Sequence, residues 1–396
     1  MAMIVQSPPK VSPVWMPRFS GTHHHLFLNF LADARARYGD IYTLNLGIKQ
    51  AVILSHPRHA QHLFRDHAAH YAKGGALMTP LRSISGGGVT TSSGPLWRAQ
   101  RHTLQPFFQR QQIATQVTSM ITILQEWLAH YLPQPLDATP INISELLVCL
   151  TAQLTTATLF QTALPTAQIG TLNRALTALN QRALPGVLLP IVPAWFPLPG
   201  RRRYQAAIRQ VDQVIDTLII ERQQTKPPGA DLFTALQLRC AASAPPAAAR
   251  RQLHDEVLAL LIAGYETTAT CLSWSCYLLA HHPAVLAKAQ QEIDQQLGAR
   301  QPTYADLAAL PYLSMILYEA LRLYPPSWRL SRGRGGRSDR RLANCTGAIG
   351  AHPRLPDPPP PPVVAQPGRF SARTLCGGGG RAADHQRLAP LWSGQP

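Results

Sequence analysis

The sequence has no regular cysteine pattern, and it contains too little glycine and aromatic residue for a fibrous repeat. None of its six cysteines forms a C-x-x-C pair with another (Cys149, Cys240, Cys271, Cys276, Cys345 and Cys376). Scattered cysteines in a chain of 396 residues predict neither a disulfide framework nor a zinc site, so we expect a reducing, cytoplasmic setting. A hydrophobic content of 45% excludes wholesale disorder.

Acidic residues are scarce: 20 Asp and Glu stand against 37 Lys and Arg, for a net charge of +17. Such an excess favours a nucleic-acid partner only when it belongs to one folded surface. Here much of it lies in residues 332–396, which hold 10 Arg, 3 Asp and no Lys together with 10 Pro and 11 Gly. That is a low-complexity composition, so the sequence divides near Ser331.

One segment is long and apolar enough to imitate a membrane span. Val257–Ala280 contains a single charged residue, Glu266, with six hydroxyl residues around it. A carboxylate inside a bilayer is costly, so the segment is better explained as a core helix. We therefore expect a soluble protein without a membrane anchor.

Hydrophobic periodicity predicts a mainly α fold with a small β-sheet. Helical spacing covers Leu26–Tyr38 and most of the chain from His56 to Leu323, whereas Ile41–Leu46 and Ala51–Leu54 alternate as two short strands. The clearest later helices are Gln112–Tyr131, Ile143–Phe160, Arg202–Arg222, Ala230–Cys240, Asp255–His282, Pro283–Leu297 and Leu310–Leu323. The predicted organisation is an extension at 1–25, one domain at 26–331 and a tail without native structure at 332–396.

The most informative motif is Ala263-Gly264-Tyr265-Glu266-Thr267-Thr268, in the middle of the longest helix. Gly and β-branched Thr are poor helix formers, and a Thr hydroxyl can bond the carbonyl four residues back. The pattern is typical of a small-walled notch with a hydroxyl and a carboxylate beside it, suited to a diatomic ligand and a proton relay. A close helix crossing that requires Gly explains it equally well.

Two other motifs carry charge at helical spacing. Glu319 and Arg322 are three residues apart before a proline stop, which predicts an ion pair, either on the surface or, given the surrounding Leu and Ile, buried. Trp97 and Arg101 are four residues apart, so an indole N–H and a guanidinium can hold one anionic group. An ordinary amphipathic helix start is the alternative for the second pair.

In this order and spacing the three motifs resemble the cytochrome P-450 superfamily of haem-thiolate monooxygenases. Leu278-Leu279-Ala280-His281-His282-Pro283 and Leu310-Pro311-Tyr312-Leu313 also resemble family phrases, and the resemblance runs from about Leu26 to Ser331. It implies haem b as cofactor, a hydrophobic small-molecule substrate, and a ferredoxin- or flavodoxin-type electron donor.

The resemblance also implies roles for individual residues. Glu266 and Thr267 would be the catalytic acid–alcohol pair, and Ala263 and Gly264 would line the oxygen notch. Trp97 and Arg101 would bind a haem propionate, while Glu319 and Arg322 would form the structural ion pair on the proximal side. No metal ligand is assigned in this chain, because the family's F-x-x-G-x-R-x-C-x-G loop, which supplies the thiolate, does not occur in it.

The tail is explained by a shifted reading frame. Synonymous codons can be chosen for Val363–Gly377 such that reading one base later yields W-W-P-N-P-A-A-F and then Q-P-E-R-F-A, which resembles the family between its E-x-x-R helix and its cysteine loop. We therefore predict a one-base frameshift between Trp328 and Gly335, and an inactive chain. The alternative is a helical binding protein whose Arg-rich tail engages nucleic acid or another anion; the tail lacks the interleaved aromatics and motifs of such proteins, and we expect no nucleic-acid partner.

Overall fold

The computed structural model describes residues 10–11, 24–45, 50–73, 79–131, 141–188, 201–225, 227, 229–327, 329–333 and 341–345. The chain forms two compact units, one with residues 1–79, 184–189 and 318–396 and the other with residues 80–183 and 190–317. The first unit contains the sheet and the second contains most of the helices. The three-part division predicted from composition stays a prediction.

The described residues are mostly α-helical, which confirms the predicted fold class. Every helix expected from periodicity is present within a few residues, except that the longest begins earlier, at Pro246, and a helix over 166–188 was missed. The helices are α1 His24–Tyr38, α2 Pro57–Gln61, α3 Thr79–Ser85, α4 Gly94–Leu104, α5 Arg110–Tyr131, α6 Ile143–Leu159, α7 Thr166–Leu188, α8 Arg201–Thr225, α9 Leu232–Ser243, α10 Pro246–His281, α11 Pro283–Leu297 and α12 Pro311–Leu323.

Local sequence explains where several helices begin and end. Proline in the first turn, where its missing N–H costs nothing, starts α4, α10 and α11. The Asp231 carboxylate caps α9 by accepting the Thr234 backbone N–H at 3.0 Å. Gly39, at φ +83°, ends α1 and donates its N–H to the Arg35 carbonyl.

One sheet of six strands lies in the first unit. The strands are β1 Lys10–Val11, β2 Ile41–Asn45, β3 Gln50–Leu54, β4 Tyr71–Lys73, β5 Arg329–Gly333 and β6 Arg341–Cys345, in the spatial order β1-β2-β3-β6-β5-β4. β2 and β3, the two strands predicted from the alternation, pair antiparallel with Tyr42 opposite Ile53. Their inward residues Tyr42, Leu44, Ala51 and Ile53 are buried with Leu31 of α1.

Two short stretches of the tail belong to the sheet, and the first, residues 332–333, ends β5 and pairs with β4. Residues 341–345, which we expected to lack native structure, form β6 and pair parallel with β3 and antiparallel with β5. A strand ladder is made of backbone hydrogen bonds, so many sequences can complete the otherwise unpaired edge of β3. Residues 346–396, and most of the Leu184–Gly200 segment, lie outside the described residues.

The core of the second unit is built around α10, which packs against α6, α8 and α9. Val257, Leu258, Leu261 and Tyr265 of α10 are buried in this core. Among the described residues, α10 alone is long and apolar enough to cross a membrane, and core helices of soluble proteins share that length and composition. Its packing against three other helices is the arrangement predicted for a core helix.

Candidate active site

The middle of α10 remains a continuous helix through its Gly and Thr residues. Thr267 Oγ1 donates a hydrogen bond to the Ala263 carbonyl at 2.8 Å, and Thr268 Oγ1 donates to the Gly264 carbonyl at the same distance. Both are the bonds to the carbonyl four residues back that the sequence predicts. Thr267 and Glu266 are half-buried, so the two groups sit on a side of α10 that other helices do not fully cover.

Gly264 lies where α10 crosses α6. A Cβ atom at this position would be 2.8 Å from Thr155 Cγ2 and 3.0 Å from Thr155 Oγ1. At the same crossing, Thr151 Oγ1 of α6 donates to the Tyr265 carbonyl at 3.1 Å. The close helix crossing considered from the sequence therefore accounts for this glycine. A role for Ala263 and Gly264 in an oxygen notch stays a prediction.

Tyr265 contributes no proton to this region near neutral pH. Its side chain is fully buried, and burial, with a smaller contribution from the Glu266 carboxylate, raises the pKa of its phenol above the ordinary value. The Tyr265 hydroxyl has no hydrogen-bond partner in the part of the chain that the structure describes. The other polar side chains of this motif are Glu266, Thr267 and Thr268, and the proton relay assigned to Glu266 and Thr267 stays a prediction.

Trp97 and Arg101 of α4 face the same way. The Arg101 guanidinium carbon lies 5.7 Å from the centre of the Trp97 ring, within the range of a cation–π contact, and both side chains are half-buried. The pair thus brings one indole N–H donor and one guanidinium fork together, which is a donor set suited to a carboxylate.

Glu319 and Arg322 of α12 form a two-bond ion pair. Arg322 Nε and Nη2 donate to the two Glu319 oxygens at 2.7 Å each. Glu319 is 0% exposed and Arg322 is 24% exposed, so the pair has the buried setting that its apolar neighbours suggested. These hydrogen bonds raise the pKa of Arg322 further above its already high value and keep it charged.

A second set of charged residues, which the sequence analysis missed, surrounds the N-terminal part of α10. Asp255 Oδ2 accepts the Gly87 backbone N–H at 2.7 Å, and Glu256 Oε2 accepts the Val89 backbone N–H at 3.1 Å. Glu256 Oε1 also accepts Arg239 Nη2 of α9 at 2.8 Å. The available signals were the Gly86-Gly87-Gly88 run and two adjacent carboxylates at the edge of an apolar stretch.

The described side chains fit parts of a haem-binding site. Trp97 and Arg101 match a propionate, and the half-buried face of α10 carries a hydroxyl beside a carboxylate. No group of three or more His, Cys, Asp or Glu that could hold a metal ion occurs among the residues the structure describes. Burial raises the pKa of each cysteine whose side chain is described, which keeps it a thiol: Cys149, Cys240, Cys271 and Cys276.

Comparison with known proteins adds an independent finding. A sequence model of the cytochrome P-450 family matches residues 6–334. Cyclooctatin synthase of Streptomyces melanosporofaciens is 31% identical over 311 residues, which are 77% of this chain and 66% of that protein. Cyclooctat-9-en-7-ol 5-monooxygenase of the same organism is 29% identical over 306 residues, 77% of this chain and 65% of that protein.

A third relative is similar over the same share of this chain. Pentalenene oxygenase of Streptomyces avermitilis is 28% identical over 308 residues, again 77% of this chain and 66% of that protein. The chain therefore spans slightly less than two thirds of the length of these relatives. Residues 335–396 lie beyond the family match.

Proposed function

The chain belongs to the cytochrome P-450 family, and we propose that its lineage is a haem monooxygenase that inserts one oxygen atom of O2 into an apolar organic substrate. The observation that carries this proposal is the pair formed by Glu266 and Thr267 on the half-buried face of α10, with the Thr267 hydroxyl held on the Ala263 carbonyl. Haem, when bound, would supply the oxygen activation and one-electron chemistry that side chains cannot provide.

In this proposal the protein's own groups handle protons. The Glu266 carboxylate, being partly exposed, exchanges protons with solvent. Thr267 Oγ1 holds a proton that can be passed on, since its hydroxyl both donates to the Ala263 carbonyl and retains acceptor capacity. A carboxylate and a hydroxyl on adjacent residues form a short relay for general acid catalysis.

In this proposal one residue pair, Trp97 and Arg101, binds the cofactor, and the other, Glu319 and Arg322, supports the fold beside it. Trp97 and Arg101 bind a propionate through an indole N–H and a guanidinium, the charge-assisted contact that fixes the orientation of a carboxylate. Glu319 and Arg322 form a rigid buried pair in α12 that supports the proximal side. Both assignments follow from the family membership together with the observed geometry of each pair.

The proposed substrate class and electron donor rest on membership of the same family. The printed names of the relatives refer to cyclooctatin, cyclooctat-9-en-7-ol and pentalenene, and we extend to this chain only the class of hydrophobic small molecule. We propose a ferredoxin- or flavodoxin-type electron donor and a cytoplasmic location. The moderately basic body at 26–331 suits an acidic donor.

Residues beyond the break between Trp328 and Gly335 are assigned to out-of-frame translation. Three observations support this: the family match ends at residue 334, the composition changes near Ser331, and a one-base shift can turn residues 363–377 into a family-like string. The nucleotide sequence across codons 325–396 tests it. If the codons for Val363–Gly377 do not encode W-W-P-N-P-A-A-F-Q-P-E-R-F in the next frame, the frameshift is excluded.

The activity is tested with two recombinant chains, this one and a chain whose reading frame is restored between codons 328 and 335 and read on to the next in-frame stop codon. We expect the reduced carbon-monoxide spectrum of the thiolate type from the restored chain and not from the present one, because the 396 residues contain no F-x-x-G-x-R-x-C-x-G loop. A thiolate-type band from the present chain would contradict the proposed inactivity. No such band from the restored chain would contradict the haem-thiolate assignment.

A further inference from the structure

The loop of residues 86–92, which precedes α4, is wrapped around the Asp255 carboxylate of α10. Gly87 donates its backbone N–H to Asp255 Oδ2 at 2.7 Å. Gly86 has φ +50°, and a Cβ atom there would overlap the Asp255 carboxylate. A Cβ atom on Gly88 would overlap the Asp255 carbonyl and lie 2.5 Å from the Ala259 Cβ. The glycine run is therefore explained by the close approach of this loop to α10.

Glu256, the next residue, binds the same loop and a second helix. Its carboxylate is 0% exposed, accepts the Val89 N–H, and pairs with Arg239, which is 12% exposed. Burial raises the pKa of Glu256, while Arg239 and the hydrogen bonds from Val89 and Gln100 oppose that rise. A carboxylate buried to this extent persists only because each of its oxygens has a partner.

Gln100 connects this network to α4. Its side chain is fully buried. Its Nε2 donates to the Gly87 carbonyl at 2.7 Å, and its Oε1 is bonded to the Ser92 hydroxyl. Gln100 lies three residues after Trp97 and directly before Arg101, so the amide that fixes α4 to the loop sits within the turn that carries both residues.

We propose that Gln100, Asp255 and Glu256 are positioning residues that fix α4 against α10 and thereby set the direction in which Trp97 and Arg101 present their donors. The propionate part of this inference rests on the proposed function of that pair. The three side chains touch no anion themselves. They act through the loop at residues 86–92, because a shift of that loop moves the helix whose first turn follows it.

The experiment separates positioning from general stability with a carboxylate-bearing probe that needs no iron ligand. Metal-free protoporphyrin IX and its dimethyl ester differ only in whether the two propionates are ionised. The ratio of their affinities for the present chain therefore reports recognition of the carboxylates alone, whereas loss of folded protein lowers both affinities together. Affinities are measured by porphyrin fluorescence in the same buffer and detergent.

We expect Arg101→Ala to lower the acid-to-ester ratio by about 10-fold, the factor of one charge-assisted hydrogen bond. Gln100→Met, which keeps the side-chain length and removes the amide, is expected to lower the ratio by several-fold without changing the affinity for the ester. Asp255→Ala should also lower the acid-to-ester ratio by several-fold without changing the affinity for the ester. Asp255→Asn should preserve the ratio, since it retains an acceptor for the Gly87 N–H.

The matched control is the Arg222–Asp231 pair, a buried ion pair with 2% and 6% exposure and a 2.8 Å contact between α8 and the start of α9. Arg222→Met breaks an ion pair of the same kind, and the hydrogen bonds given above for Gln100, Asp255 and Glu256 involve neither Arg222 nor Asp231. We expect it to reduce stability and to leave the acid-to-ester ratio unchanged. An equal loss of the ratio in this control would overturn the positioning assignment.

Hydrogen exchange of the probe-free chain completes the test. In Gln100→Met and Asp255→Ala, peptides covering residues 86–104 should exchange faster, while those of α8 and α9 should not. If exchange over residues 86–104 is unchanged, the inference is wrong even if porphyrin binding is affected. If exchange rises but Arg101→Ala does not change the ratio, the proposed propionate role fails while the fixing of α4 to α10 stands.

Discussion

The two carboxylates of α10 that lie ten residues apart have opposite environments. Glu256 is completely buried, with Arg239 on one oxygen and the Val89 backbone N–H on the other. Glu266 is half-buried, in a stretch where the Thr267 and Thr268 hydroxyls bond to carbonyls of their own helix. A carboxylate fixed on both oxygens serves architecture, whereas one that keeps access to solvent can take part in proton transfer.

The largest effect on stability is expected when Glu256, the fully buried carboxylate, loses its charged partner. Arg239→Met removes the guanidinium that is bonded to Glu256 and leaves a buried carboxylate without that charge, which should reduce the free energy of unfolding by about 3–5 kcal/mol. Urea denaturation followed by circular dichroism measures it. The double variant Arg239→Met with Glu256→Gln should recover part of the loss, and no recovery would indicate that Arg239 acts through other contacts.

The same variant should make stability depend on pH in a defined direction. The pKa of Glu256 is already raised by burial, and it rises further when Arg239 is removed. A carboxyl group with a raised folded-state pKa favours folding when protonated. The variant should therefore lose stability relative to the unmodified chain as pH increases from the ordinary Glu value up through the raised pKa. A flat difference between the two chains would contradict this.

A smaller effect on stability is expected in the loop of residues 86–92, which contacts α10 at Asp255 and Glu256. Gly88→Ala places a methyl group against the Asp255 carbonyl and 2.5 Å from the Ala259 Cβ, so it should cost about 2–3 kcal/mol of stability through overpacking. Gly87→Ala is the control, because its Cβ would meet only an Asp255 oxygen at 3.6 Å. Thermal unfolding of both variants measures the difference. Equal losses would show that the close approach at residue 88 is not what requires glycine.

A still smaller effect is expected at the helix crossing next to Glu266. Gly264→Ala should cost about 1 kcal/mol, because overlap with Thr155 is partly offset by the better helix propensity of Ala. Thr155→Ala in the same chain removes the two atoms that the new methyl group would meet, at 2.8 and 3.0 Å. The double variant should therefore be more stable than Gly264→Ala alone. Additive losses would refute the crossing as the reason for glycine.

The smallest effect belongs to the residue assigned to chemistry. Thr267→Val should change stability by less than about 0.5 kcal/mol, because within the described part of the chain the hydroxyl bonds to the Ala263 carbonyl of its own helix and to no other element. Urea denaturation beside the Arg239→Met variant gives the comparison directly. A loss above about 1 kcal/mol would mean that Thr267 is a structural residue, as Gln100 and Glu256 are.

Most helices were predictable from the sequence because their signals are local. Proline starts, apolar spacing and the Gly39 stop lie within one or two turns of the boundaries they set. The helix over 166–188 was missed because Pro185 and Gly186 fall inside it and disguise its end. The strand at 341–345 was missed because its partners, β3 and β5, determine it more than its own composition does.

The candidate site also has residue pairs that could be predicted from the sequence and contacts that could not. Glu266–Thr267, Trp97–Arg101 and Glu319–Arg322 were each predictable, since each pair lies within a single helix and helical geometry alone brings its members together. The contacts of Gly87 with Asp255 and of Val89 with Glu256 join residues 168 and 167 positions apart. No periodic pattern in one sequence encodes contacts at that separation.

The sequence by itself determined the family, the helical class and the three short motifs, because each depends on residues that are neighbours on one element. Only the tertiary structure decided which carboxylate of α10 is fully buried, why a side chain at Gly86, Gly88 or Gly264 would crowd its neighbours, and which amide bonds the loop of residues 86–92. Those properties depend on burial and on the atoms of other elements. Burial follows from packing, and packing gives the chemically identical side chains of Glu256 and Glu266 different access to solvent and different bonding partners.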